Sequence, residues 1–353
     1  MKKILTIHYL RGIAAMLVVA YHIKTNAYDS VSEKNIFEFL FTSGAFGVDL
    51  FFIISGFIIA FSTERRQDNN AINYIVKRFF RIYPLLFVTV LIYIIINPVY
   101  LKAEVIKSLF FINRDYGKPA PFFGYNVLFP AWSLSYEVYF YCIFGLAMFI
   151  SHSKRIFICS LLLLIPSVFL QLIFNSSISL KGGMQLEGVI HNSLNFFASP
   201  MMYEFIVGMV MFRIMHFFSN LSHYKLISMS LFILFLLCYL TTYHYTVGLY
   251  GFGIWALLLI SAALIWEKNN MLPTNQFLNF FGDISYSLYL SHAVIMQIMI
   301  RFHDYLPLYE KNSPLKFFEL LILSIALAYF LHKLVERPML KVGSLTAKFF
   351  NTK

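Results

Sequence analysis

The chain has 353 residues, of which 59% are hydrophobic and only 13% are charged, and its mean hydropathy is +0.70. A soluble globular domain carries about 25% charged residues, so this composition excludes a soluble enzyme and predicts an integral membrane protein. The formal net charge of +11 does not indicate nucleic-acid binding, because the basic residues cluster between hydrophobic segments. The three cysteines all fall in apolar runs without metal-ligand spacing, and we expect no metal.

Apolar segments long enough to cross a bilayer as helices recur along the chain. They predict an all-α polytopic bundle of about ten transmembrane helices, in a single integral-membrane domain over 1–353 with no appended extracytoplasmic domain. Lysine and arginine are more frequent in the alternate connectors on the side of the N-terminus, which predicts that both termini face the cytoplasm (N-in/C-in). The segments are 4–24, 44–62, 80–98, 131–150, 156–174, 197–215, 226–243, 248–266, 284–302 and 316–334.

The first segment contains two ionisable residues, Arg11 and His22. Eleven residues of α-helix turn through about 1100°, close to three full turns, and rise about 16 Å, so both side chains lie on one stripe at different depths. Ionisable groups inside a membrane are costly and indicate function by default. A neutral imidazole can act as a general base or itself accept an acyl group. The alternatives are an interhelical hydrogen bond for His22 and snorkelling of Arg11 to the interface.

The second segment carries a carboxylate, Asp49, near its predicted outer end. It can pair with a cation, orient an imidazole, or simply favour a helix N-terminus. Around the start of the third segment, Arg78 and Arg81 are three residues apart and therefore share one helix face. Paired guanidinium groups suit a phosphorylated cofactor and also suit lipid headgroups. The long connector 99–130 is either a lid or polar-ligand surface, or a re-entrant or interfacial connector.

The fourth segment opens with Trp132, Ser135 and Tyr136, followed by the carboxylate of Glu137. Hydroxyl and aromatic groups suit a sugar site, although an interfacial belt of tryptophan and tyrosine also explains the aromatic residues. That belt does not explain Glu137, which we expect to be functional.

The ninth segment contains Tyr286 and a second intramembrane histidine, His292. We predict that both contact the substrate. The alternative for His292 is an interhelical hydrogen bond.

Six motifs in order resemble those of the integral-membrane acyltransferase 3 family, which includes O-acetyltransferases of bacterial surface polysaccharides. Many members carry a second acidic residue where this chain has Val138, so Glu137 must serve alone. The motifs are Arg-x10-His (Arg11, His22), Gly-Val-Asp-x-Phe-Phe-x-x-Ser-Gly-Phe (47–57), Arg-x-x-Arg with a following proline (Arg78, Arg81, Pro84), Trp-Ser-Leu-Ser-x-Glu (132–137), Ser-Tyr-x-x-Tyr-Leu-x-His (285–292) and Glu-Arg-Pro (336–338).

The resemblance implies transfer of acetyl from cytoplasmic acetyl-CoA to a sugar hydroxyl of a saccharide acceptor on the periplasmic or outer face of the bacterial cytoplasmic (inner) membrane. It implies that His22 is the general base or a transient acyl carrier, oriented by Asp49 or Glu137. The expected roles are catalytic for His22, Glu137 and Asp49, cofactor-binding for Arg11, Arg78 and Arg81, and substrate-binding for Trp132, Ser135, Tyr136, Tyr286 and His292.

Two alternatives remain. One is a transporter or exporter of a glycolipid or small anion, with Arg11 and His22 in its permeation path. The other keeps the enzyme class and transfers a different acyl group, such as succinyl.

Overall fold

The computed structural model describes residues 4–27, 36–64, 70–270, 272–302 and 314–350. Within these ranges every regular element is a helix and none is a strand. The helices are α1 (Leu5–Ala27), α2 (Ile36–Phe41), α3 (Gly47–Ser62), α4 (Ala71–Ile96), α5 (Lys102–Leu109), α6 (Trp132–Ile150), α7 (Arg155–Asn175), α8 (Leu194–Ala198), α9 (Met201–Ile214), α10 (Tyr224–Thr241), α11 (Phe252–Asn269), α12 (Gln276–Arg301), α13 (Pro314–Leu331) and α14 (Arg337–Phe349).

In the described part of the chain, nine helical stretches are long and apolar enough to cross a membrane. The helix α12 is also 26 residues long, which corresponds to about 39 Å, but it is less apolar because it carries buried serines and a histidine. The protein is therefore a multi-pass membrane protein, and the prediction of an all-α polytopic bundle is confirmed. The orientation of the termini stays a prediction. The nine stretches are Leu5–Lys24, Ile36–Ser62, Ala71–Ile96, Phe129–Ile150, Arg155–Asn175, Leu194–Phe218, Tyr224–Thr241, Phe252–Asn269 and Leu315–Phe349.

The third span begins earlier than hydropathy predicted. The side chain of Asn70 caps α4 by accepting a hydrogen bond of 2.8 Å from the backbone N–H of Asn73, so the helix starts at Ala71 rather than near residue 80. Arg78 and Arg81 consequently lie inside this helix, two to three turns from its start. Both guanidinium groups belong to the bundle and not to a connecting loop.

Glycines let α1 approach its two neighbours closely. A Cβ atom added at Gly12 would lie 2.7 Å from the backbone nitrogen of Gly282 in α12, and one added at Gly47 of α3 would lie 2.6 Å from the carbonyl oxygen of Ala14. Small residues permit this kind of close backbone packing in membrane bundles. The contacts hold α1 between α12 and α3, so the stripe that carries Arg11 and His22 faces α12.

The crossing of α3 and α9 predicts an intolerance of bulk at Gly208. A Cβ atom there would overlap the carbonyl oxygen of Ile53, which is backbone and cannot move aside. We expect Gly208→Leu to lower the free energy of unfolding by about 1–3 kcal/mol, measured by thermal unfolding of the purified protein. The control is Gly183→Ala, where the added Cβ meets only the carbonyl oxygen of Ala120 at 3.6 Å. Equal stability of the two variants would contradict this packing.

The connector between α4 and α6 is folded against the bundle. The backbone N–H of Arg114 donates to the carbonyl of Tyr125 at 3.1 Å, and that of Val127 donates to Ser108 Oγ at 2.9 Å. The ring of Phe111 lies 6.4 Å from that of Tyr83, halfway along α4. A segment that packs at this depth fits the re-entrant alternative better than an open lid.

Candidate active site

A cavity of about 740 Å³, including its mouth, lies between α1, α3, α4, α6 and α12. Three arginines and one carboxylate that are far apart in the sequence meet in its wall. Apolar residues of α3 supply much of the remaining lining. The polar residues of the wall are Arg11, Ser55, Arg78, Arg81, Ser133, Glu137, Tyr141, Ser285, Tyr286 and Tyr289.

Arg11 extends from α1 to α12. Its Nη2 donates a hydrogen bond of 2.6 Å to the carbonyl oxygen of Gly282, at the close approach of the two helices. Its Nε is buried and has no hydrogen-bond partner among the described residues. A buried donor without a partner is costly and unusual, so it is a candidate contact for an anionic ligand.

Arg78 lies between two aromatic rings. Its guanidinium carbon is 5.7 Å from the ring centre of Tyr74 and 5.5 Å from that of Tyr141, and cation–π attraction stabilises this position. Its Nη2 is 3.4 Å from Ser62 Oγ, and its Nε has no partner in the described part of the chain. Within the same residues no carboxylate forms an ion pair with it.

Arg81, in contrast, is already paired. Its Nη1 forms an ion pair with Glu336, which lies in a π-helical turn between α13 and α14. The second oxygen of Glu336 accepts hydrogen bonds from Ser287 Oγ at 2.6 Å and from His332 Nδ1 at 2.9 Å. The guanidinium also lies 5.3 Å from the ring centre of Tyr286, whose hydroxyl donates to a carbonyl of α4 at 2.8 Å. The charge of Arg81 is therefore balanced inside the protein.

Glu137 lies in the arginine cavity and not beside His22. Its Oε1 accepts hydrogen bonds from Ser55 Oγ at 3.0 Å and from the hydroxyl of Tyr141. These contacts fix the carboxylate on the wall between α3 and α6. The expectation that Glu137 orients His22 finds no such contact here.

His22 of α1 and His292 of α12 form a pair about three helical turns beyond Arg11 toward the C-terminal end of α1. The distance from His292 Nε2 to His22 Nδ1 is 3.2 Å, and the two rings stack with centres 5.1 Å apart. The ring of Phe129 contacts both, at 4.9 Å from His22 and 5.6 Å from His292. The pair is thus enclosed where the connector meets α6.

Tyr289 lies between the cavity and the histidine pair. Its ring centre is 6.2 Å from that of His292, and the same side chain lines the arginine cavity. Its hydroxyl lies 2.7 Å from Ser133 Oγ and 3.0 Å from the carbonyl oxygen of Pro130. Tyr289 therefore connects the wall of the arginine cavity to the histidine pair.

Asp49 lies elsewhere in the bundle. Its Oδ1 accepts a hydrogen bond of 2.6 Å from the backbone N–H of Gly248, in the turn before α11, and its carboxyl group also contacts Glu204 of α9. Both acids are fully buried. The structure does not bring Asp49 to His22 either.

Three predicted substrate residues anchor the connector. Ser135 Oγ donates to Asn113 Oδ1 at 3.2 Å, Tyr136 donates to the carbonyl of Pro121 at 3.2 Å, and Trp132 packs edge-on against Phe122. Tyr286 does line the cavity, and His292 contacts His22. The substrate roles of all five residues stay predictions.

The sequence analysis gave no role to several residues of this region. Glu336 was marked by its place in the last motif and by its charge at the end of an apolar run. Glu204 is a carboxylate within an apolar run, and Tyr289 belongs to the motif that ends at His292. Within the described ranges, no three His, Cys, Asp or Glu side chains lie close enough together to hold a metal ion.

The family model Acyl_transf_3, described as an acyltransferase domain, matches residues 4–333. The chain belongs to the acyltransferase 3 family. All the arginines, acids and histidines of the two sites described above, except Glu336, fall inside that match. The resemblance drawn from the six motifs is confirmed, and the protein is a membrane protein of an acyltransferase family.

Three curated proteins are similar to this chain. It is 25% identical to "Exopolysaccharide production protein ExoZ" of Rhizobium meliloti (strain 1021) over 86% of this chain and 92% of the relative. It is 31% identical to "Acyltransferase MdmB" of Streptomyces mycarofaciens over 39% of this chain and 37% of the relative. It is 26% identical to "Peptidoglycan O-acetyltransferase OatA" of Listeria monocytogenes over 40% of this chain and 24% of the relative. No solved structure matches.

Proposed function

We propose that the protein transfers acetyl from cytoplasmic acetyl-CoA to a hydroxyl of a cell-surface polysaccharide or its lipid-linked precursor. We place it in the bacterial cytoplasmic membrane, with both termini inside. The printed names of two relatives, an exopolysaccharide production protein and a peptidoglycan O-acetyltransferase, support a saccharide acceptor. The acyltransferase family match favours this function over the transporter alternative.

The observation that carries the proposal is the charge of the cavity. Arg81 is balanced by Glu336, so in the described part of the chain the two cations of Arg11 and Arg78 share the cavity with a single carboxylate, that of Glu137. Arg11 and Arg78 also each keep a buried Nε without a partner among the described residues. Burying an uncompensated cation is costly unless a ligand supplies the opposite charge. The phosphates of acetyl-CoA have that charge, and guanidinium groups suit phosphate geometry.

The positions of the arginine cavity and the histidine pair along α1 also support transfer from a cytoplasmic donor. Arg11 is six residues from the start of α1, and His22 lies about 16 Å farther along the helix. If the N-terminus is cytoplasmic, the arginines lie toward the cytoplasm and the histidines toward the outer face. Phosphates held by Arg11 and Arg78 need not cross the hydrocarbon, because an extended pantetheine arm can reach past Tyr289.

His22 then acts at the acyl group. It either removes the proton of the acceptor hydroxyl as a general base or accepts the acyl group itself. When bound, acetyl-CoA supplies an activated thioester. The residues of this chain supply phosphate contacts, a base, and a site enclosed by Phe129 and Tyr289.

Binding of acetyl-CoA to the purified full-length protein tests the proposal. We expect saturable binding by the wild type and binding at least about tenfold weaker for Arg78→Ala, because loss of a buried charge-pair partner costs about 2 kcal/mol or more. The matched control is Arg213→Ala, an exposed arginine of α9 that should bind normally. No binding by folded wild type would contradict an acetyl-CoA donor, and tighter binding of succinyl-CoA would favour the other acyl group.

A further inference from the structure

We propose that His292 is a positioning residue for His22, which it holds in the tautomer whose lone pair is on Nε2. The inference rests on the proposed role of His22 in acyl transfer. It assigns to His292 a different task from the substrate contact that the sequence suggested.

The hydrogen bonds of His292 define its own tautomer. Its Nδ1 is 3.2 Å from the carbonyl oxygen of Leu288, one helical turn earlier. A carbonyl oxygen only accepts hydrogen bonds, so Nδ1 of His292 carries the N–H. A neutral imidazole has one N–H, and the Nε2 of His292 is therefore an acceptor.

That acceptor in turn defines the tautomer of His22. Nε2 of His292 lies 3.2 Å from Nδ1 of His22, so Nδ1 of His22 must donate. With the N–H on Nδ1, the lone pair that removes a proton or attacks an acyl group is on Nε2.

The surroundings hold His292 in this orientation. Its side chain is completely buried, and the rings of Phe129 and Tyr289 pack against it. The helices α1 and α12 meet at Gly12 and Gly282, which fixes the distance between the two histidines.

The chemistry gives this contact a role in the transition state. When Nε2 of His22 takes the proton of the acceptor hydroxyl, the ring becomes a cation and its Nδ1–H becomes a stronger donor to His292. As the acceptor oxygen forms its bond to the acyl carbon, the bond between that carbon and the sulfur of CoA breaks. The departing thiolate takes the proton from Nε2, and His22 returns to the neutral tautomer. In many enzymes a carboxylate supports the imidazole in this position, whereas here a neutral histidine does so within a buried environment.

The test compares His292→Phe, which keeps a ring but has no acceptor, with His292→Gln, whose Oε1 can accept close to the position of Nε2. Solid-state 15N NMR of histidine-labelled protein in lipid nanodiscs reports which nitrogen of His22 carries the N–H, and the signal is assigned by its loss in His22→Ala. We expect the N–H on Nδ1 in wild type and in His292→Gln, and a mixture of tautomers in His292→Phe. An N–H on Nε2 in wild type, or an unchanged tautomer in His292→Phe, would overturn the proposal.

Rates provide the second readout. The assay follows transfer of radiolabel from acetyl-CoA to the saccharide fraction of membranes that carry each variant. Loss of the hydrogen bond that orients a metal-bound histidine typically costs about 10- to 100-fold. We expect a loss of similar size in His292→Phe and partial recovery in His292→Gln. Both variants should bind acetyl-CoA as the wild type does. If adding more acceptor restored the rate of His292→Phe, His292 would be a substrate contact and the proposal would be wrong.

The two proposals fail in distinguishable ways. The tautomer of His22 is measured without any acyl donor, so failure of acetyl-CoA to bind leaves the NMR result unaffected. Normal acetyl-CoA binding with the wrong tautomer would reject the role of His292 alone.

Discussion

Replacing His22 by alanine is expected to abolish acyl transfer and to leave a folded, membrane-inserted protein that still binds acetyl-CoA. The side chain contacts His292 and Phe129, away from the arginines that we propose to hold the phosphates. A general base contributes about 10²- to 10⁴-fold to the rate, and loss of an acyl carrier would remove turnover altogether. The measurement is radiolabel transfer from acetyl-CoA to saccharide, with acetyl-CoA binding measured on the same preparation.

The control for this variant is His191→Ala, which removes an exposed histidine from the connector between α7 and α8. It should retain the wild-type rate and wild-type binding. Transfer within tenfold of wild type by a purified His22→Ala protein would exclude both roles proposed for His22. Loss of binding together with loss of transfer would show instead that His22 holds the donor.

Helical period alone predicted the common stripe of Arg11 and His22, and the structure agrees. Arg11 contacts Gly282 and His22 contacts His292, so residues eleven apart in α1 meet residues ten apart in α12. The helical period could not identify α12 as the partner, because His22 and His292 are 270 residues apart in the sequence. Close packing at Gly12 and Gly282, together with the apolar contacts along the two helices, brings them together.

For the two carboxylates, the sequence indicated the residues but not their partners. Sequence reasoning marked Asp49 and Glu137 as functional because a charge in an apolar run is costly, and both are indeed integrated into polar contacts. It could not assign their partners, which depend on how α3, α6 and α9 rotate against each other. In the structure Glu137 accepts hydrogen bonds from Ser55 and Tyr141. Asp49 accepts one from the backbone of Gly248 and lies beside Glu204.

The arginine motif shows a further limit. The spacing of Arg78 and Arg81 treats the two residues as equivalent, and both do line one cavity. The two arginines differ in their partners. Glu336, about 255 residues later in the sequence, forms an ion pair with Arg81, whereas Arg78 packs against two aromatic rings. A double Arg78→Ala/Arg81→Ala variant would therefore mix loss of a ligand contact with loss of a structural ion pair.

This difference predicts the second large effect. Arg81→Ala and Glu336→Gln should each destabilise the protein by about 3–5 kcal/mol, because each leaves the other charge buried without its partner. Replacing both partners by methionine removes the two charges together, and such replacements of buried ion pairs are often neutral or stabilising. We expect the double variant Arg81→Met/Glu336→Met to recover most of the lost stability, measured by thermal unfolding in detergent.

The single and double variants of Arg81 and Glu336 also distinguish a role of Arg81 in stability from a role in acetyl-CoA binding. If Arg81 serves mainly the ion pair, the double methionine variant should regain acetyl-CoA binding along with its fold, while Arg78→Ala stays folded and does not bind. If the double variant regains its fold but binds no acetyl-CoA, Arg81 contacts the donor directly in spite of its pairing with Glu336. Single variants as stable as the wild type would show that solvent or lipid headgroups reach this ion pair, and that the charge balance argued for the cavity is wrong.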